Sequence, residues 1–124
     1  MIKGINAVLI HSRDVRRLAE FYRDKVGIPF QMDDHGGGLH AEAEVGSVHV
    51  AIFPGGGEPR DKGPVTLSLN VDDIDAEYEA MKKRGVSFEG PPAPAPFGGV
   101  LASFRDPDGN GVLLMVWQSE RKAE

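Results

Sequence analysis

The side chains with the greatest chemical capacity in this chain are His40, Glu42 and Glu44, at alternate positions, and His49 five residues after Glu44. Imidazole nitrogens and carboxylate oxygens form a donor set suited to Zn²⁺, Ni²⁺, Mn²⁺ or Fe²⁺. A histidine beside a carboxylate can also carry protons near neutral pH, which makes His49 a candidate general base. The plainer reading is a polar sheet face on which His49 and Glu44 pair across two strands.

Alternation is what positions these groups. Leu39, Ala41, Ala43 and Val45 fall on one side of a strand and His40, Glu42 and Glu44 on the other. Gly46-Ser47 fits a two-residue hairpin loop of the Gly-first type. Val48, Val50 and Ile52 then alternate with His49, Ala51 and Phe53. Pairing Val45 with Val48 sets Glu44 opposite His49 and Glu42 opposite Ala51 on one face. The other candidate groups have simpler explanations. His11 stands at a strand end near Arg13, and His35 lies in a glycine-rich loop. The runs Gly36–Gly38 and Gly55–Gly57 lack the Lys-Ser/Thr and helix of a phosphate loop. Asp72, Asp73 and Asp75 are favoured in a first helical turn by the macrodipole, and 91–96 reads as a stiff rim loop.

The bulk properties bound the function. A chain of 124 residues, 40% hydrophobic and 27% charged, is one globular domain with a real core. A net charge of −5 argues against nucleic acid as a partner. The absence of cysteine excludes disulfides, thiol catalysis and thiolate metal sites. The opening MIKGINAVLI lacks the pattern of a signal peptide, and no apolar run reaches membrane-spanning length. The expectation is a cytoplasmic protein that does not engage a membrane.

Taken in order, the chain is patterned twice. Ile5 to Ser12 reads as a strand, and Asp14 caps a helix whose Val15, Leu18, Ala19, Tyr22 and Val26 share one face. Gly27 ends that helix, Phe30 begins a short strand, and the hairpin follows. After the Gly/Pro/charge linker 55–64, Val65 to Val71 alternates. Asp73 caps a second helix with Ile74, Tyr78 and Met81 inward and Gly85 at its end. Val86 to Glu89 is predicted as a short strand. Val100 to Arg105 and 112–118 are predicted strands joined by Asp106-Pro107-Asp108-Gly109-Asn110-Gly111, where Gly109 and Gly111 both permit positive φ. Asp14 matches Asp73, and Gly27-Ile28 matches Gly85-Val86 after a one-residue slip. The result is α+β: two βαβββ modules, about 1–54 and 65–119, with a tail at 120–124.

Two βαβββ modules, the helix with Asp14, Phe21 and Tyr22 before Gly27, and the turn Arg105 to Asn110 resemble the vicinal oxygen chelate superfamily. That superfamily includes glyoxalase I, bleomycin-resistance proteins and extradiol dioxygenases. The resemblance covers nearly the whole chain. It implies one domain over 1–124, a cupped eight-strand mixed sheet with helices outside, and a small molecule in the concavity. It also implies a homodimer and, in enzymatic members, a divalent metal on four side chains. Here the corresponding positions are Ala7, His49, Thr66 and Leu113. Alanine and leucine cannot ligate, threonine ligates poorly, and one histidine does not hold a metal.

With Ala7 at a ligand place, parity turns Ile5, Leu9 and His11 to the same concave face. It adds His49, Ala51 and Phe53; Thr66, Ser68 and Asn70; and Leu113, Met115 and Trp117. The expectation is therefore a ligand-binding protein without the usual metal ligands or any cofactor, its site drawn from His49, Phe53, Thr66, Ser68, Asn70, Leu113, Met115 and Trp117. The alternative for those apolar side chains is packing between modules or subunits. A second function is an enzyme, lyase, isomerase or dioxygenase-like, with an atypical metal on His40, Glu42 and His49 or metal-free chemistry at His49.

Overall fold

Asp14 and Asp73 are equivalent points in a repeated structure. Each is a helix N-cap whose carboxylate accepts from the backbone N–H three residues on, Arg17 and Ala76, at 3.1 Å in both cases. Each helix ends at a left-handed glycine, Gly27 at φ 101° and Gly85 at φ 97°. The computed structural model describes residues 1, 7–34, 38–55, 65–96 and 98–120. Ile5, His35, most of the linker and the end of the tail lie outside them.

The chain divides into two units, Met1–Pro59 and Arg60–Glu124. In the first, the strands are β1 (Ala7–Ser12), β2 (Gln31–Asp33), β3 (His40–Val45) and β4 (Val48–Pro54), with α1 (Val15–Glu20) continuing as a π-helical turn over Phe21–Val26. In the second they are β5 (Thr66–Asn70), β6 (Ala93–Pro94), β7 (Gly99–Arg105) and β8 (Gly111–Trp117), with α2 (Ile74–Lys83). The two sheets have the same order, β1-β4-β3-β2 and β5-β8-β7-β6. In each, the first strand runs parallel to the last and the other pairs are antiparallel. These two four-stranded mixed sheets with their helices are the α+β fold expected from the repeat.

Each sheet buries one face against its helix. In the first unit Ile10, Ala41, Ala43, Val50 and Ile52 are buried with Val15, Leu18, Ala19, Tyr22 and Val26. In the second, Val100, Ala102, Phe104, Val112, Leu114 and Val116 are buried with Ile74 and Met81. Each large aliphatic or aromatic side chain so buried contributes roughly 1.5–3 kcal/mol. The charged residues Arg16, Arg17, Glu20, Arg23 and Asp24 lie on the exposed side of the first helix, as its periodicity predicts.

The departures from the predicted elements have local causes. The first helix has thirteen residue steps from capping Asp to terminal Gly and the second has twelve. The extra residue is taken up in the π turn, where the N–H of Gly27 donates to the carbonyl of Tyr22. Phe30 is core, 4% exposed, and the strand begins one residue later. Tyr78 is half-buried rather than fully inward; its ring meets Phe88 edge-on at 4.8 Å, with Lys82 Nζ 4.8 Å from its centroid. The predicted strand Val86 to Glu89 reduces to one bridge, Phe88 with Phe104. The edge is instead completed by Ala93–Pro94, a place where proline's missing N–H is tolerated.

The turn before β8 is held by one buried carboxylate. Asp106, 5% exposed, accepts from the backbone N–H groups of Asp108 and Asn110 and from the side-chain amide of Asn110. Gly109 adopts φ 84°, whereas Gly111 is an ordinary strand residue with no positive φ. What Gly111 supplies is room: a Cβ there would stand 3.0 Å from Thr66 Oγ1.

Candidate functional site

The face of the first sheet turned away from its helix carries three rows of side chains, each running across paired strands. His11, Phe53, His40 and Asp33 make one row, Phe53 and His40 meeting there by ring stacking; Leu9, Ala51, Glu42 and Gln31 make the next, and Ala7, His49 and Glu44 the third. The alternation of β3 and β4 and the Val45–Val48 register place Glu44 opposite His49 and Glu42 opposite Ala51, as the hairpin predicts.

This face is an array of histidines and acids over apolar neighbours. His49 Nδ1–H donates to Glu44 Oε1 at 2.5 Å, and His49 Nε2 lies 3.7 Å from Glu42 Oε1. His40 Nε2 lies 3.6 Å from the same Glu42 oxygen. The Glu44 hydrogen bond, with the negative charges of Glu44 and Glu42, raises the His49 pKa against a smaller opposing effect of desolvation. His40 lies flat on Phe53, 5.3 Å between centroids and 13° between planes, and His11 approaches that ring at 6.5 Å. An open depression of about 280 Å³ is lined by Pro29, Gln31, Glu42, Ala43, Glu44 and His49.

The second unit's corresponding face has a different character. Ser68, Leu113 and Ser103 form one cross-strand row and Asn70, Met115 and Leu101 another. Trp117 stands at the end of β8, 47% exposed. Thr66, Gly111 and Arg105 form the remaining row, with Arg105 Nη1 donating to the carbonyl of Gly109 at 3.3 Å. The parity expected for Thr66, Ser68, Asn70, Leu113, Met115 and Trp117 is present in this unit, and that expected for Ala7, Leu9, His11, His49, Ala51 and Phe53 in the other.

Two groups on these faces lie outside the sequence expectation. Asp33 is the last residue of β2, and pairing with His40 brings it to the histidine-rich row. Arg105 belongs to the turn motif by sequence, yet it shares strand parity with Ser103 and Leu101 and reaches the open face. Counting back from Leu113 across the β7–β8 pairing would have placed it there.

Side chains at the metal positions implied by the resemblance do not fit a metal. Ala7 is the direct partner of His49 in the β1–β4 register and offers only a methyl group. Leu113 has no donor atom, and Thr66 offers only a neutral hydroxyl, a poor ligand beside imidazole and carboxylate. A single imidazole remains.

Residues 4–114 match the Glyoxalase/Bleomycin resistance protein/Dioxygenase superfamily, and the chain belongs to it. The uncharacterized protein YetH of Bacillus subtilis (strain 168) is 31% identical over 122 residues, covering 92% of this chain and 98% of that one. Among solved structures, a glyoxalase/bleomycin resistance protein/dioxygenase from Nocardioides has the same fold, with TM-score 0.80 and 22% identity over 100% of this chain and 89% of its own. TnmS3, an antibiotic binding protein from Streptomyces sp. CB03234, has TM-score 0.71 and 26% identity, covering 91% of this chain and 94% of that one. Among the described residues no helix is long and apolar enough to cross a membrane.

Proposed function

We propose that this protein binds a small organic molecule on the open face of its second sheet and does so without the superfamily's usual metal. The observation that carries this reading is the second unit's open face. There Leu113, Met115 and the half-exposed Trp117 run along one strand, with Ser68 and Asn70 directly beside them. An apolar stripe with a few placed hydrogen-bonding groups is the usual make-up of a small-molecule site. The first unit's own open face carries Phe53 and His49, likewise an aromatic ring and a polar group. The likeness to an antibiotic binding protein supports the reading, as does the loss of donors at Ala7 and Leu113.

Trp117 is the chain's one tryptophan, so its fluorescence reports directly on that face. Titration with a panel of aromatic and drug-like compounds is expected to quench or shift its emission and to raise the melting temperature. A panel that produces neither effect overturns the reading.

The pairing of His49 with Glu44 favours a second reading, an enzyme of lyase, isomerase or dioxygenase-like type with His49 in acid–base work. A carboxylate that orients an imidazole through Nδ1 leaves Nε2 for proton transfer. Turnover of any bound compound that is lost in His49→Gln, with binding retained, would establish it.

A further inference from the structure

We propose that Asp33, His40 and Glu42 form a binding site for one divalent transition-metal ion on the open face of the first sheet. The inference is independent of small-molecule binding and uses none of the positions Ala7, Thr66 and Leu113.

Strand register assembles the site. Asp33 and His40 are direct partners in the antiparallel β2–β3 pair, and Glu42, two residues along β3, falls on the same face. One ligand atom from each of the three can be chosen so that all lie within 4.8 Å of one another. Two donors on a tetrahedral ion with bonds of ~2.1 Å stand roughly 3.4 Å apart. His40 Nε2 and Glu42 Oε1 are 3.6 Å apart, a separation too long for a good hydrogen bond and close to that spacing.

His40 is also oriented as a ligand. Its Nδ1 faces the carbonyl of Gly38 at 3.5 Å, and its ring is stacked on Phe53. With the proton on Nδ1, Nε2 presents its lone pair toward Glu42. A ligating histidine is typically held in this way, by donating its other ring N–H to a carbonyl or carboxylate. His49 Nε2 lies 3.7 Å from the same Glu42 oxygen, but the three groups whose ligand atoms all come within 4.8 Å of one another are Asp33, His40 and Glu42, so His49 is not counted as a ligand. One imidazole and two carboxylates suit Zn²⁺, Mn²⁺, Fe²⁺, Co²⁺ or Ni²⁺. The remaining coordination positions would face outward, to water.

The test uses the untagged full chain, stripped with chelator and dialysed. Calorimetric titration with Zn²⁺ is expected to give one ion per chain, and Co²⁺ to give visible absorption bands from a nitrogen/oxygen site. Asp33→Asn and His40→Gln should each weaken Zn²⁺ binding by about tenfold or more, and His49→Gln should change it by less than about twofold. On Zn²⁺ addition the Nε2 resonance of His40 should shift. Circular dichroism and thermal unfolding would establish that each variant is folded. The proposal is overturned if folded wild-type protein binds neither ion at millimolar concentration. Equal affinity in wild type, Asp33→Asn and His40→Gln would also overturn it, as would loss of binding in His49→Gln alone.

Discussion

Glu44 and His49 face each other across the β3–β4 hairpin, with the imidazole Nδ1–H donating to the carboxylate. The pKa of His49 is therefore raised above its ordinary value of 6.5. A raised folded-state pKa means that the protonated pair stabilises the fold fully below the unfolded value. That contribution is lost as pH rises through the folded pKa. NMR titration of chelator-treated protein should show the His49 ring titrating above 6.5, with Glu44→Gln moving its midpoint down. A midpoint unchanged by Glu44→Gln would contradict the assigned cause.

Asp106 should be the most sensitive polar residue of the second unit. Asp106→Ala removes the acceptor for two backbone N–H groups and one amide N–H. Each buried donor left unsatisfied costs roughly 1–3 kcal/mol, so a loss of about 3 kcal/mol is expected in denaturant unfolding. Asp106→Asn retains one carbonyl oxygen for the backbone bonds and should cost less. Equal stability of Asp106→Ala and wild type would show that the turn does not depend on this carboxylate.

Gly111 and Thr66 should be energetically coupled. Gly111→Ala places a Cβ 3.0 Å from Thr66 Oγ1 and 3.4 Å from Thr66 Cγ2. Overpacking of this kind costs about 1–2 kcal/mol. Thr66→Ala removes both atoms, so the double variant should recover most of the loss, a non-additivity measurable in a double-mutant cycle. Additive losses would place the strain elsewhere.

The chain is expected to form a homodimer. Leu9 is 54% exposed on the first unit's open face, and β1 and β5 are edge strands of their sheets among the described residues. Exposed apolar side chains and unpaired edges favour association. Sedimentation velocity at micromolar concentration should give a dimer; a monomer across that range would refute it.

Much of each unit was legible because its signals are short-range. Asp14 and Asp73 announce helix starts by their type, Gly27 and Gly85 announce the ends, and the period of Val15, Leu18, Tyr22 and Val26 names the buried face. The Gly46-Ser47 turn fixes a register within two residues, so the Glu44–His49 pair follows from the sequence. The Ala93–Pro94 edge was not legible, since proline argues against a strand until its position at an edge is known. Gly111 was misread for a related reason. Glycine between turn and strand suggests positive φ, but its place is set by the crowding of Thr66 on a strand distant in sequence.

The sequence by itself determined the repeat, the two helices, the hairpin and the lack of donors at Ala7 and Leu113, because caps, alternation and residue type act over a few positions. Only the tertiary structure decided that Asp33 stands beside His40 and that Thr66 stands beside Gly111. The second contact depends on the strand order that sets β5 beside β8, and the first on the register across the connection from Asp33 to His40. No residue in that connection dictates a register as Gly46-Ser47 does. The pairing is settled by burial of one whole sheet face against a helix, and that is a property of the folded unit.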